Sequence, residues 1–263
     1  MKRNYHGQMS DSFILGILLS LSGGFQDAYS YVCRGSVFAN AQTGNIVLLG
    51  KYAAERNLER VFHYAVPLLA FVGGIFLAQK VQQHFKKCEN IHWRQIVLLF
   101  EILILFLAGC LPVGGGMDIA ANALVSFACA MQVDTFRKIR GNAVATTMCI
   151  GNLRNATALL CSYEATGDPK LKWKSMQYYS LILVFAVGAV LGNEAVARIQ
   201  GRAIWFCCIL LLLGFFVMLI RDEEEELVSG KDTETIGDEI RDIGRALKEE
   251  LKIGGKENES DGK

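Results

Sequence analysis

Residues 23–45 read GGFQDAYSYVCRGSVFANAQTGN, a polar and glycine-rich passage set inside a chain of long apolar runs. The passage begins within an apolar segment that opens near residue 13, and it is followed by IVLLG at 46–50. An acidic residue, two asparagines, two glutamines and a threonine therefore lie where the surroundings ask for aliphatic side chains. Working outward from this passage decides the fold.

A helix needs about 20 mostly apolar residues to cross the hydrocarbon core of a bilayer. Residues 13–33, 61–81, 95–112, 118–136, 177–197 and 203–220 meet that need. Two more segments, 36–50 and 142–161, are apolar but interrupted by polar residues, and the first has too few residues to span comfortably. Hydrophobic residues make up 52% of the 263, a fraction that a soluble domain also reaches, so the distribution of charge is the stronger argument. Residues 222–263 hold 15 acidic and 7 basic side chains, although the whole chain is +1. The remaining charges gather in short clusters between apolar runs. A charge at the bilayer centre costs at least about 2.5–3.5 kcal/mol, which explains such segregation. The expected fold class is an all-α polytopic membrane protein. It has six transmembrane helices plus two short re-entrant or broken-helix segments.

Basic residues choose between six and eight spans. With six, the side of the N-terminus collects 13 Lys and Arg before the tail, against 6 on the other face. Eight spans divide them almost evenly. The positive-inside rule thus selects six spans with both termini cytoplasmic. The two polar segments must then be buried in protein, because irregular backbone at membrane depth cannot face lipid.

The two segments also resemble each other. A shift of 107 residues sets Asp27 on Asp134, Tyr29 on Phe136, Gly44 on Gly151 and Asn45 on Asn152. The halves are about 10–112 and 117–220, within a transmembrane domain 1–221. Three crossings per half would invert the second copy, a design that recurs in transporters with the binding site at the repeat interface.

An ionisable residue in a membrane segment is a functional candidate, and Asp27 suits a proton or cation. Asn40, Gln42, Thr43 and Asn45 offer groups for a polar or neutral solute, and Gly44 can expose backbone at a helix break. In the second half Gln132, Asp134, Thr146, Thr147, Asn152 and Arg154 take the related positions. Asp118 is read as a span boundary, and Glu101 as lying near the cytoplasmic headgroups. The eight cysteines form no CxxC pair and are read as small hydrophobes. The histidines have no metal-ligand spacing, and no cofactor, metal or nucleic acid is expected. HExxH, Gly-x-Ser-x-Gly and nucleotide-binding patterns are absent, so no enzymatic activity is expected.

Residues 222–263 read as an acidic cytoplasmic tail. In it, Ile236, Ile240, Ile243, Leu247 and Leu251 recur at the steps of a short amphipathic helix.

The run GGFQDAYSYVCRGSVFANAQTGNIVLLG at 23–50 resembles the signature of the YoaK family of bacterial inner-membrane proteins, close to GFxDAxxYxxxxxVFxANxTGN. AMQVDTFRKIRGNAVATTMCIGNLRNA at 130–156 is similar to its later motif, MQNAxxRxxxG…TTxxTGNL. Ile150 departs from the usual Thr, and Val133-Asp134 from Asn-Ala. The resemblance covers residues 10–220 and implies a bacterial cell membrane protein of unknown function, sometimes labelled a small permease. The expected function is a secondary transporter or permease for an unidentified small solute, with proton coupling through Asp27 and Asp134. The lipid bilayer, the solute and further copies of the chain are its expected partners. The alternative is a non-transporting membrane sensor or partner protein acting through its tail.

Overall fold

The computed structural model describes residues 12–85, 93–139 and 142–219. The chain divides into two units, Met1–Met218 and Leu219–Lys263. The expected tail helix lies outside the described residues.

Among the described residues the first unit is helical apart from one short pair of strands and the connecting turns. Its elements are α1 (Phe13–Cys33), α2 (Gln42–Ala54), α3 (Leu58–Phe85), α4 (Trp93–Cys110), α5 (Gly116–Thr135), β1 (Lys138–Ile139), β2 (Asn142–Ala143), α6 (Cys149–Thr166) and α7 (Pro169–Ile199). A 3₁₀ turn, Gln200–Ile204, leads into α8, residues 205–219. Strands β1 and β2 are antiparallel, with Lys138 opposite Ala143. Local chemistry sets several boundaries. Gly167 ends α6 in the left-handed conformation at φ 70°. Two residues on, Pro169 opens α7, and the Asp168 side chain accepts from the Lys170 N–H at 2.9 Å.

α3, α4, α5 and the Pro169–Leu219 stretch are each long and apolar enough to cross a membrane. α1 is 21 residues long and carries a polar run in its second half. The Pro169–Leu219 stretch is not one rod. Gly188 and Gly192 of α7 lie against Leu21 and Phe25 of α1, whereas Gly214 of α8 lies against Leu15 at the start of α1. The chain therefore reverses at the 3₁₀ turn, where Gln200 has φ 48°.

The surface is inverted relative to a soluble domain. Leu69, Phe76, Leu183, Val190 and Ile209 point outward, while Ser22, Gln26, Ser30, Asn45, Glu101, Asn122, Ser126 and Gln132 are wholly buried. Only a lipid surround makes so much exposed aliphatic surface favourable.

Helix partners are reciprocal. α1 packs most extensively on α7, and α3 on α5; α2 lies on α3 as α6 lies on α7. Glycines permit the closest of these approaches. A Cβ on Gly24 would overlap the Phe185 carbonyl of α7, and one on Gly74 would overlap that of Phe127 in α5. α5 runs antiparallel to α1: Gln132 bonds the Leu19 carbonyl at 3.1 Å, Cys129 meets Gln26, and Asn122 bonds the Arg34 carbonyl at 2.6 Å.

Candidate functional site

The break after α1 follows from two left-handed residues, Gly35 (φ 80°) and Ser36 (φ 64°), which turn the chain back on itself. It then returns along α1 in extended form. The Ala39 N–H donates to Ser30 Oγ at 3.1 Å and the Asn40 N–H to Asp27 Oδ1 at 2.7 Å. Asn40 Nδ2 donates to the Gly23 carbonyl at 3.0 Å. α2 starts at this depth and leads away, reaching α3 where Tyr52 stacks on Tyr64. Asp27 thus holds its carboxylate at the N-terminal end of α2, where the helix dipole favours negative charge by about 0.3–1 kcal/mol.

The second break arrives at the same glycine from another direction. After the hairpin, Thr146 Oγ1 accepts from Gln132 Nε2 at 3.0 Å. The Thr146 carbonyl and Thr147 Cγ2 each lie 3.2 Å from the position of a Cβ on Gly23. α6 then departs and is tied to α7 by Ser175 Oγ, which donates to the Ala156 carbonyl at 2.7 Å.

Each break is stapled in the same way. Asn45 Oδ1 accepts from the Phe38 N–H at 3.1 Å, and its Nδ2 donates to the Phe38 carbonyl at 2.6 Å. Asn152 does the same to Ala145, at 3.2 and 2.7 Å. Phe38 and Ala145 are related by the same 107-residue shift as the two asparagines. Both pairs satisfy a backbone unit that irregular structure would leave unpaired.

Three polar atoms around Gly23 are buried with no hydrogen-bond partner among the described residues: Asn40 Oδ1, Gln132 Oε1 and Thr147 Oγ1. Each such group costs about 1–3 kcal/mol unless something satisfies it. They belong to three separate elements converging on one turn of α1, and are suited to hydrogen-bonding a small polar molecule.

The other expected residues are distributed more widely. Gln42 donates to the Ala39 carbonyl and accepts from Asn45, so it supports the staple. Gly44 is half-buried with Phe38 beside it, and Thr43 is exposed. Asp134 does not mirror Asp27 at the α6 N-terminus. It pairs with Arg137 and accepts from Gln79 Nε2 at 2.6 Å. Arg154 is exposed on α6. No His, Cys, Asp and Glu grouping able to hold a metal occurs among the described residues.

Two expectations are corrected. Glu101 does not lie among headgroups; it sits midway along α4 and is fully buried. Arg34 is also fully buried. It donates to the Tyr29 hydroxyl at 2.9 Å, to Asp118 Oδ1 at 3.1 Å and to the carbonyls of Ala108, Leu111 and Pro112. Asp118 is accordingly an ion-pair partner rather than a mere boundary.

This geometry is carried by a chain with recognisable relatives. A family described as Protein of unknown function (DUF1275) matches residues 15–217. The chain belongs to the DUF1275 family. The UPF0700 transmembrane protein YoaK of Bacillus subtilis (strain 168) is 36% identical over 97 residues, which are 36% of this chain and 42% of that protein. The match spans less than half the relative's length. No solved structure matches the chain. With apolar helices long enough to cross a bilayer and a transmembrane relative, this DUF1275 protein is a multi-pass membrane protein.

Proposed function

We propose that the chain is a secondary transporter or permease for a small polar solute. Its site is formed by Gly23, Asn40, Gln132, Thr146 and Thr147. The supporting observation is the meeting of two chain breaks, from separate halves, at Gly23. In this reading α1, α3, α4, α5, α7 and α8 are six spans, and residues 34–54 and 136–166 are re-entrant. The halves are inverted copies, as the antiparallel course of α1 and α5 suggests. Both termini lie in the cytoplasm of a bacterial cell. Half-helices ending near the midplane are the arrangement transporters use to expose backbone and amide groups to a solute. No catalytic residue is assigned.

The test is solvent access. Asn40→Cys and Thr147→Cys are introduced singly in a chain whose native cysteines are replaced, then treated in vesicles with a membrane-impermeant maleimide from each side. A solute path predicts labelling of both positions, with the accessible side differing between them or changing with conditions. Complete protection of both from both sides would sink the reading.

A further inference from the structure

Glu101 is not among the residues that form the site at Gly23. It is wholly buried where four helices meet: its own α4, then α1 through Gln26, α5 through Cys129, and α8 through Cys207 and Cys208. Neither carboxyl oxygen has a hydrogen-bond partner by distance and angle among the described residues, and no cation pairs with it there. Its neighbours also bond to other groups. Gln26 Nε2 donates to Ser22 Oγ at 2.8 Å, and Gln26 Oε1 accepts from the Cys129 thiol at 2.6 Å. Cys207 Sγ lies 3.8 Å from the Ser22 carbonyl, and Cys208 Sγ lies 3.6 Å from that of Ile102. Ser126 Oγ of α5, also buried, has no partner among the described residues.

The three buried carboxyls of the bundle differ in a way that assigns their charge. Asp27 accepts from backbone N–H at the start of α2, and Asp134 accepts from Gln79 and pairs with Arg137. Both have donors or a cation positioned to support a carboxylate. Among the described residues Glu101 has no counter-ion and only the Gln26 amide beside it as a donor, and an unpaired carboxylate there would cost several kcal/mol. We propose that Glu101 carries a proton in this conformation and is the proton-binding site of the bundle, releasing it when the surrounding helices rearrange. The titratable groups facing it are the thiols of Cys129, Cys207 and Cys208. Asp27, next to Gln26 on α1, acts on the same Cys129 thiol, and no titratable group of α3 acts on Glu101. The proton leaves as hydronium or to a water, and no other reactant is needed. This assignment moves proton coupling from Asp27 and Asp134 to Glu101. It stands independently of any solute and is tested without one, so the two readings can fail separately.

The experiment is an infrared pH titration of the purified full chain in lipid nanodiscs, following the C=O stretch of protonated carboxyl groups. A band lost as pH rises, absent in Glu101→Gln and retained in Asp27→Asn, is the expected result. Should Glu101→Gln fail to fold, the native chain serves instead. Labelling of Glu101 by a hydrophobic carbodiimide, read by mass spectrometry, is expected to fall about tenfold per pH unit above the midpoint. Three outcomes overturn the proposal. One is a band or labelling yield indifferent to pH, which makes Glu101 a locked structural acid. Another is absence of any protonated signal from Glu101. The third is displacement of the proton by sodium at fixed pH, which makes the site a metal-cation site.

Discussion

Asn45 and Asn152 show what a single side chain can do at a helix break. Each amide satisfies both backbone groups of a residue seven positions earlier, so each substitution removes two partly buried hydrogen bonds and leaves the backbone unpaired. Asn45→Ala and Asn152→Ala are expected to cost about 2–3 kcal/mol apiece. Thermal unfolding of the detergent-solubilised protein measures this, with the exposed Thr43→Ala as a control that should change little. Arg34 is the larger case. Arg34→Ala strips its clamp from the carbonyls of residues 108, 111 and 112 and leaves Asp118 without its cation, held among the described residues only by the Gly114 N–H, a loss of about 3–5 kcal/mol. Arg34→Lys should recover only part of it, because an ammonium lacks the guanidinium fork. Asp27 separates charge from hydrogen bonding. Asp27→Asn keeps an acceptor for the Asn40 N–H, so it should destabilise less than Asp27→Ala in the same measurement.

Among the elements, the α1–α7 and α3–α5 contacts carry the bundle, and both depend on the absence of side chains. Gly24→Ala would drive a methyl into the Phe185 carbonyl, and Gly188→Ala into that of Leu21. Backbone cannot yield as a flexible side chain can, so each should cost about 1–3 kcal/mol. Gly50→Ala on α2 meets nothing within 4 Å and is the matched control. Comparable losses in Gly50→Ala and Gly188→Ala would show that helix separation is not what matters. Polar interruption of residues 36–50 and 142–161 was readable, and so was the pairing of Asn45 with Asn152. Which residues meet was not. Gly23 carries no polar side chain to mark it, yet both breaks converge on it because a glycine there leaves room for Thr146 and Thr147.

At the scale of the whole molecule, the six-span reading makes a claim about sidedness. The α4–α5 connection at residues 111–115 and the α6–α7 connection at 167–168 should face opposite sides of the membrane. Gly114→Cys and Gly167→Cys, each in a chain without native cysteines, should therefore label from opposite faces of oriented vesicles. Labelling of both from the same face would refute six spans. Gly114 has φ 110° and Gly167 φ 70°, so the outcome is read only on variants that retain native thermal stability.

The amino-acid sequence by itself determined the class of molecule: apolar run lengths and segregated charge leave a lipid-embedded helical bundle as the stable arrangement. It also marked two polar interruptions and their kinship, since amides and threonines inside apolar runs are conspicuous wherever they point. Only the tertiary structure decided how buried polar groups are matched. Asp27 and Asp134 look alike in sequence, but one serves a helix end and the other an ion pair, because their partners come from different elements. Glu101 was misjudged for the same reason. An isolated charge reads as one that should reach water, and only packing shows that Arg34 is enclosed by acceptors and that Glu101 is buried without a counter-ion among the described residues.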